Sequence, residues 1–250
     1  MKPISIQLYT LRDAAAKDFP SVLRFVADTG YKGVEFAGLH GHSPKEIANL
    51  IDDLGLEVSS SHTPLPTPEN IAELADTELT LGNTRVISGF GPDAFKTMDD
   101  IKAAAEKFER AAELVEPYGM TFGMHNHWWE FANVDGRYVY DILLSEAPDI
   151  FSELDVYWTA YGKADPVKII EQYGSRLPVL HIKDGPLEEG KPHLAVGDGK
   201  LDMPAIIGAA DPAVLEWLIV ELDNFDGDMF DAVKRSYQYL TTNGLALGNR

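Results

Sequence analysis

The chain has 250 residues, 45% of them hydrophobic, no cysteine, and a formal charge of −19 from 40 acidic against 21 basic side chains. A chain of that size buries a large core without covalent staples, and one α/β barrel of about this length is common. The missing cysteines exclude disulfides, thiolate metal sites and cysteine nucleophiles, and the acidic balance disfavours binding to phosphate backbones or anionic lipid.

The predicted elements recur with a rhythm. "ISIQLY" at residues 4–9 reads as a strand, and the helical stretch after it stops at Gly30. "KGVEF" is the second strand, followed by a capping box at Ser43-Pro44-Lys45-Glu46 and a helix that stops at Gly55. "LEVSS" precedes a cap-then-proline start at Thr67-Pro68 and a stop at Gly82. "TRVIS", a helix ending at Gly119 and "MTFGM" come next, then "IFSELDV", a second cap-then-proline start at Asp165-Pro166 and a stop at Gly174. "LPVLHI", a long loop over residues 185–202 and "WLIVEL" complete eight strands. At each stop, glycine tolerates the left-handed backbone of a helix C-terminus.

Short, nearly continuous apolar strands alternating with helices imply parallel pairing through βαβ crossovers. Eight such units predict a closed (β/α)8 barrel, as a single domain over residues 1–250. A doubly wound open sheet is the alternative, but its glycine-rich first turn is missing. No signal peptide is expected, and no apolar run approaches the length needed to cross a membrane.

In a parallel barrel the C-terminal ends of the strands converge on one rim, where active sites sit. Glu35, His62, His125, His127, Asp155, His181 and Glu221 all stand at or just after strand ends. His181 and Lys183 share a strand face, and Glu221 after "WLIV" is costly to desolvate unless paired or bound to a cation. Carboxylates with imidazole and no thiolate suit Mn²⁺, Mg²⁺, Co²⁺ or Zn²⁺. Such an ion would offset the repulsion among Glu130, Asp155 and Glu221. The letters "HNH" also name a nuclease motif, but here the residues are adjacent at a strand end and the protein is acidic.

With "HNHWWEF", "ELDVYW" followed by "ADPVKII", "VLHIKD", "VGDGKLD" and "IVELD" in this order, the chain resembles the xylose isomerase-like barrel superfamily over residues 4–240, and within it the sugar phosphate isomerase/epimerase branch. The resemblance implies one divalent ion, Mn²⁺ first, held by Glu130, Asp155, His181 and Glu221. Glu130 departs from the family's pattern, which has a glutamate inside the fifth strand, at Met124 or a neighbour here. That departure bears on the family's two-glutamate proton relay.

The implied chemistry is proton abstraction next to a carbonyl, with the metal stabilising the enediolate. Glu221 or Glu130 would serve as one acid/base, and His127 or Lys183 as the other. Glu35, His62, His125, Asn126, Trp158 and His193 are the expected substrate contacts, with Trp128, Trp129, Trp158 and Tyr9 as an apolar wall against a sugar's C–H face. The loop over residues 185–202 is expected to close over ligand.

Epimerisation or isomerisation of a ketose or keto-sugar leads. A dehydratase or lyase acting on 3-keto-glycosides or inososes is the alternative, and an abasic-site endonuclease or a non-catalytic sugar-binding barrel stands behind both. No phosphate-cradling loop is evident, so an unphosphorylated sugar is favoured, although Arg12, Lys183 or Lys191 could meet a phosphate. The expected partner is a small-molecule sugar, with neither nucleic acid nor membrane; a cytoplasmic location fits, and a homo-oligomer stays open.

Overall fold

The apolar runs pair side by side into a closed ring. In the computed structural model, which describes residues 1–249, the barrel strands are Lys2–Gln7, Gly33–Phe36, Glu57–His62, Arg85–Ser88, Thr121–His125, Phe151–Asp155, Val179–Ile182 and Trp217–Val220. Each pairs in parallel with the next, and the eighth closes on the first with Ile4 opposite Leu218. The register slips once, between Val34 and Glu35, where the second strand meets the third. A bulge of this kind re-aims the side chains that follow it. Two short pieces lie outside the barrel: an antiparallel hairpin of Asn133–Val134 with Arg137–Tyr138, and Ala246–Leu247 beside the start of the first strand.

Local chemistry sets most helix ends. Ser43 and Glu46 form the expected capping box ahead of Pro44–Leu54, and Thr97 with Asp100 forms another ahead of Met98–Val115. Gly30, Gly55 and Gly119 take the left-handed conformation expected of a helix stop. Two expectations are corrected. Gly174 stays right-handed at φ −50° and opens a 3-10 turn, because the chain tightens there before leaving the helix. Thr67-Pro68 does not start its helix; it makes a preceding turn, in which Asn70 Oδ1 accepts the Thr67 N–H at 2.8 Å, and the helix runs from Ile71 to Thr80.

The barrel interior is layered. Its lower plug comprises Ile87, Val179, Trp217 and Ile219, with Phe151 packed against them. Glycine makes room for the large rings: a Cβ at Gly33 would lie 2.8 Å from the Trp217 ring, and one at Gly123 would strike Phe151. Two residues further along the same strand faces, side chains turn polar: Phe151 is followed by Glu153 and Asp155, Val179 by His181 and Lys183, and Ile219 by Glu221. Because strand side chains alternate with period two, each of these three strands carries an apolar plug below and a charged group above. No helix among the described residues is long and apolar enough to cross a membrane.

Candidate active site

The polar layer is a linked set of carboxylates and cations. His181 lies at its centre, fully buried, with Nε2 2.7 Å from Glu35 and 3.1 Å from Glu153, and Nδ1 3.0 Å from Glu221. His62 stacks on it at 5.5 Å and reaches Glu153 at 2.6 Å, and His125 Nδ1 is 3.2 Å from the same oxygen of Glu153. Gln7 donates to Glu35 at 2.6 Å, and Ser60 donates to its other oxygen. On the far side Lys183, also fully buried, places its ammonium 2.7 Å from Glu221, 2.8 Å from Asp223 and 3.0 Å from Asp155.

Electrostatics follow from that arrangement. Burial works against charge on His181, yet Glu153, Glu35 and Glu221 hold its pKa well above the ordinary imidazole value. Burial likewise opposes ionised Glu153 and Glu221, but His181 and His62 keep the first well below the usual carboxylate range, and Lys183 and His181 do so for the second. Burial and the Glu153 charge lift Glu35 to about 7. Burial lifts Asp155 to about 6, against the pull of Lys183 and with the push of Glu221. His127 and His193 fall to about 4, through burial and the nearby Lys183 ammonium.

Of the residues expected at the site, Glu35, His62, His125, Asp155, His181, Lys183 and Glu221 meet here. His127 stands on the wall of the adjoining 450 Å³ cavity, its ring stacked on Trp129 at 4.1 Å, in company with Tyr9, Phe90 and Glu221. Two expected residues go elsewhere. Glu130 is buried in the 3-10 turn Trp129–Phe131, where its carboxylate accepts the His127 N–H at 2.9 Å and burial raises its pKa to about 8. A turn that tight aims the carboxylate at its own backbone. Asn126 is also fully buried: its Oδ1 accepts the Asp155 N–H at 3.0 Å, tying the fifth strand to the sixth instead of facing substrate. His193 and Trp158 line a second, neighbouring cavity.

Sequence reasoning passed over Glu153, Gln7, Ser60 and Asp223. Period two could have found two of them, since Glu153 precedes Asp155 by two residues and Asp223 follows Glu221 by two. The loop over residues 185–202 is stapled at its base, because Asp184 accepts N–H groups from Gly185, Gly197, Gly199 and Leu201 at 2.8 to 3.2 Å. Its longest exposed run is the tip, Glu188 to Lys191.

Two overlapping groups have ligand atoms within 4.8 Å of one another: His62, His125, Glu153 and His181, and His125, Asp155, His181 and Glu221. The second holds three of the four expected ligands, with His125 where Glu130 was expected. Glu153 Oε1 is buried without a hydrogen-bond partner, His125 Nδ1 has only the 3.2 Å approach to Glu153, and Asp155 Oδ2 has only the Lys183 ammonium at 3.0 Å. Imidazole nitrogens and carboxylate oxygens gathered this closely, one of them unpartnered, fit a divalent ion of hard-to-borderline character.

The sequence profile described as xylose isomerase-like TIM barrel matches residues 23–242. The chain belongs to that family. This xylose isomerase-like barrel is similar to two solved structures of a sugar phosphate isomerase/epimerase from Parabacteroides distasonis. One is 29% identical, with a TM-score of 0.81 and coverage of 98% of this chain and 96% of that one. The other is 26% identical, with a TM-score of 0.84 and coverage of 99% and 100%. An L-ribulose 3-epimerase structure shares the fold at 19% identity, with a TM-score of 0.76 and coverage of 98% and 95%. No curated protein sequence matches the chain.

Proposed function

We propose that this barrel is a divalent-metal-dependent sugar isomerase or epimerase that moves a proton on the carbon next to a carbonyl. The observation that carries it is the meeting of His125, Asp155, His181 and Glu221 within 4.8 Å of one another, with Glu221 and His125 also on the wall of a 450 Å³ cavity. The names borne by the two Parabacteroides relatives and the ribulose epimerase support the same reaction class.

His125, Asp155, His181 and Glu221 would hold the ion, Mn²⁺ first, with Mg²⁺, Co²⁺ or Zn²⁺ also fitting the donors. A divalent ion held there supplies a Lewis acid beside the cavity. Glu221 and His127 both face the cavity and are the acid/base pair; His127 Nδ1 is buried and has no partner. Lys183, held by three carboxylates, orients Glu221 and contributes fixed positive charge. Trp129 offers an apolar face to the sugar's C–H groups. None of the residues lining this cavity is lysine or arginine, which favours an unphosphorylated sugar. All eight strands close on one interior, and the reading treats residues 1–250 as one domain.

The test is incubation of the Mn²⁺-loaded protein in D₂O with a panel of ketoses and 3-keto-glycosides. Deuterium at the carbon beside a carbonyl is expected. Solvent-exchange silence across the panel, with metal bound, would leave a sugar-binding barrel without this chemistry. Release of a substituent from the neighbouring carbon would instead mark a lyase or dehydratase, a reading favoured by the second cavity beside the first.

A further inference from the structure

Beside the acid/base cavity lies a second one of about 620 Å³, between the helix Val156–Tyr161, the tip of the loop over residues 185–202 and the turn after the eighth strand. Its apolar walls are Trp128, Trp158, Tyr161 and Phe225. Trp128 is 41% exposed, unusual for so large an apolar side chain, and its ring lies 4.7 Å from Trp158 at a tilt and 5.7 Å from Tyr161 edge-on. Three aromatic faces left accessible to solvent in one concave place suit a planar or chair-shaped ring.

The charge of the rim narrows the choice. Glu188, Glu189 and Asp226 face Lys191 alone among the lining residues, so a phosphate or carboxylate would meet net repulsion. The two cavities are continuous in chemistry. The Trp158 ring lies 5.0 Å from the Lys183 ammonium, itself 2.7 Å from Glu221, and the His127 ring is 6.4 Å from both Trp128 and Trp158. His193 on the second cavity's wall accepts the Asp223 N–H at 3.2 Å, and Asp223 lines the first.

We infer that the second cavity is a subsite for an uncharged ring joined to the reacting sugar by a glycosidic bond, so that the substrate is a glycoside bearing a keto group and not a sugar phosphate. The assignment rests on the sugar-processing reading above and names the class of sugar it takes. Trp128 and Tyr161 supply the stacking faces, and the acidic rim rejects anionic substituents.

The test is titration of the protein, followed by tryptophan fluorescence and calorimetry, with methyl and phenyl β-glycosides of glucose, galactose and xylose, and with glucose 6-phosphate. For at least one sugar the phenyl glycoside should bind about three- to tenfold more tightly than the methyl one, and the phosphate should give no gain. Trp128→Ala should erase the phenyl preference, Trp128→Phe should keep part of it, and Tyr161→Ala should weaken it independently. Equal affinities, absent binding, or a phenyl preference that survives Trp128→Ala with an unchanged circular dichroism spectrum would overturn the assignment. The deuterium-exchange assay keeps the two ideas apart. A Trp128-dependent preference without exchange retains the subsite and removes the reaction, and exchange without the preference does the reverse.

Discussion

Replacing Lys183 with methionine removes a buried ammonium from among Asp155, Glu221 and Asp223, which lie 2.7 to 3.0 Å away. At an effective dielectric of about 20, each pair has a gross attraction of about 6 kcal/mol. Desolvation of a buried ion offsets several kcal/mol of that, so the net loss on breaking the set is about 3–5 kcal/mol. For a chain of this size that corresponds to a fall of roughly 6–20 °C in Tm. The loss should appear in EDTA and shrink when Mn²⁺ is added, because an ion ligated by Asp155 and Glu221 replaces the missing positive charge. Metal binding at about 100 times its Kd stabilises by about 2.7 kcal/mol. The wild-type protein should gain less from the same Mn²⁺, since its ammonium repels the incoming ion across shared carboxylates. Thermal melts of both proteins, purified with Mn²⁺ and then measured with EDTA or Mn²⁺, decide the matter. An unchanged Tm for Lys183→Met in EDTA, or equal Mn²⁺ shifts in the two proteins, would refute the idea that Lys183 and the ion share these carboxylates.

Three other outcomes are expected. Glu130→Gln should leave Mn²⁺ affinity within about twofold while His125→Gln lowers it more than about tenfold by calorimetry, because Glu130 caps its own turn and His125 joins the ligand cluster. Glu78 is buried against Ser61 and Asn83, and desolvation raises its pKa, so the folded state holds the proton more tightly than the unfolded one. Its contribution to stability therefore declines as pH rises from the unfolded value near 4.3 through the higher folded one. Glu78→Gln should flatten that slope and raise Tm at pH 7 by a few degrees, on the order of 1 kcal/mol, in melts across pH 4–8. Gly199→Ala would drive a Cβ into the Asp184 carboxylate that staples the long loop, so it should cost about 1–3 kcal/mol and make residues 185–202 more sensitive to limited proteolysis.

Much of the site was legible because strand geometry is local. Asp155, His181 and Glu221 end apolar runs, and in a parallel barrel every strand end reaches the same rim. Glu153 obeyed the same rule unnoticed, one period earlier on the face of Asp155. Glu130 was misleading for a different reason. It stands three positions after His127, and whether its carboxylate folds toward a metal or onto its own turn depends on the 3-10 geometry of Trp129–Phe131. Lys183 posed a similar ambiguity, since a lysine at a strand end reaches solvent as readily as it turns inward; the three carboxylates gathered by ring closure drew it in.

By itself the sequence determined the alternation of strand and helix, the capped helix starts at Ser43 and Asp165, the glycine stops at Gly30, Gly55 and Gly119, and hence the barrel and the rim that carries the candidate site. These follow from backbone propensity and side-chain periodicity acting over a few residues. Tertiary structure alone decided which donors lie close enough to share an ion, that His125 and not Glu130 joins Asp155, His181 and Glu221, and how Trp128, Tyr161 and Phe225 come to wall one cavity. Those outcomes depend on distances between side chains far apart in sequence, and such distances exist only once the eighth strand has closed on the first.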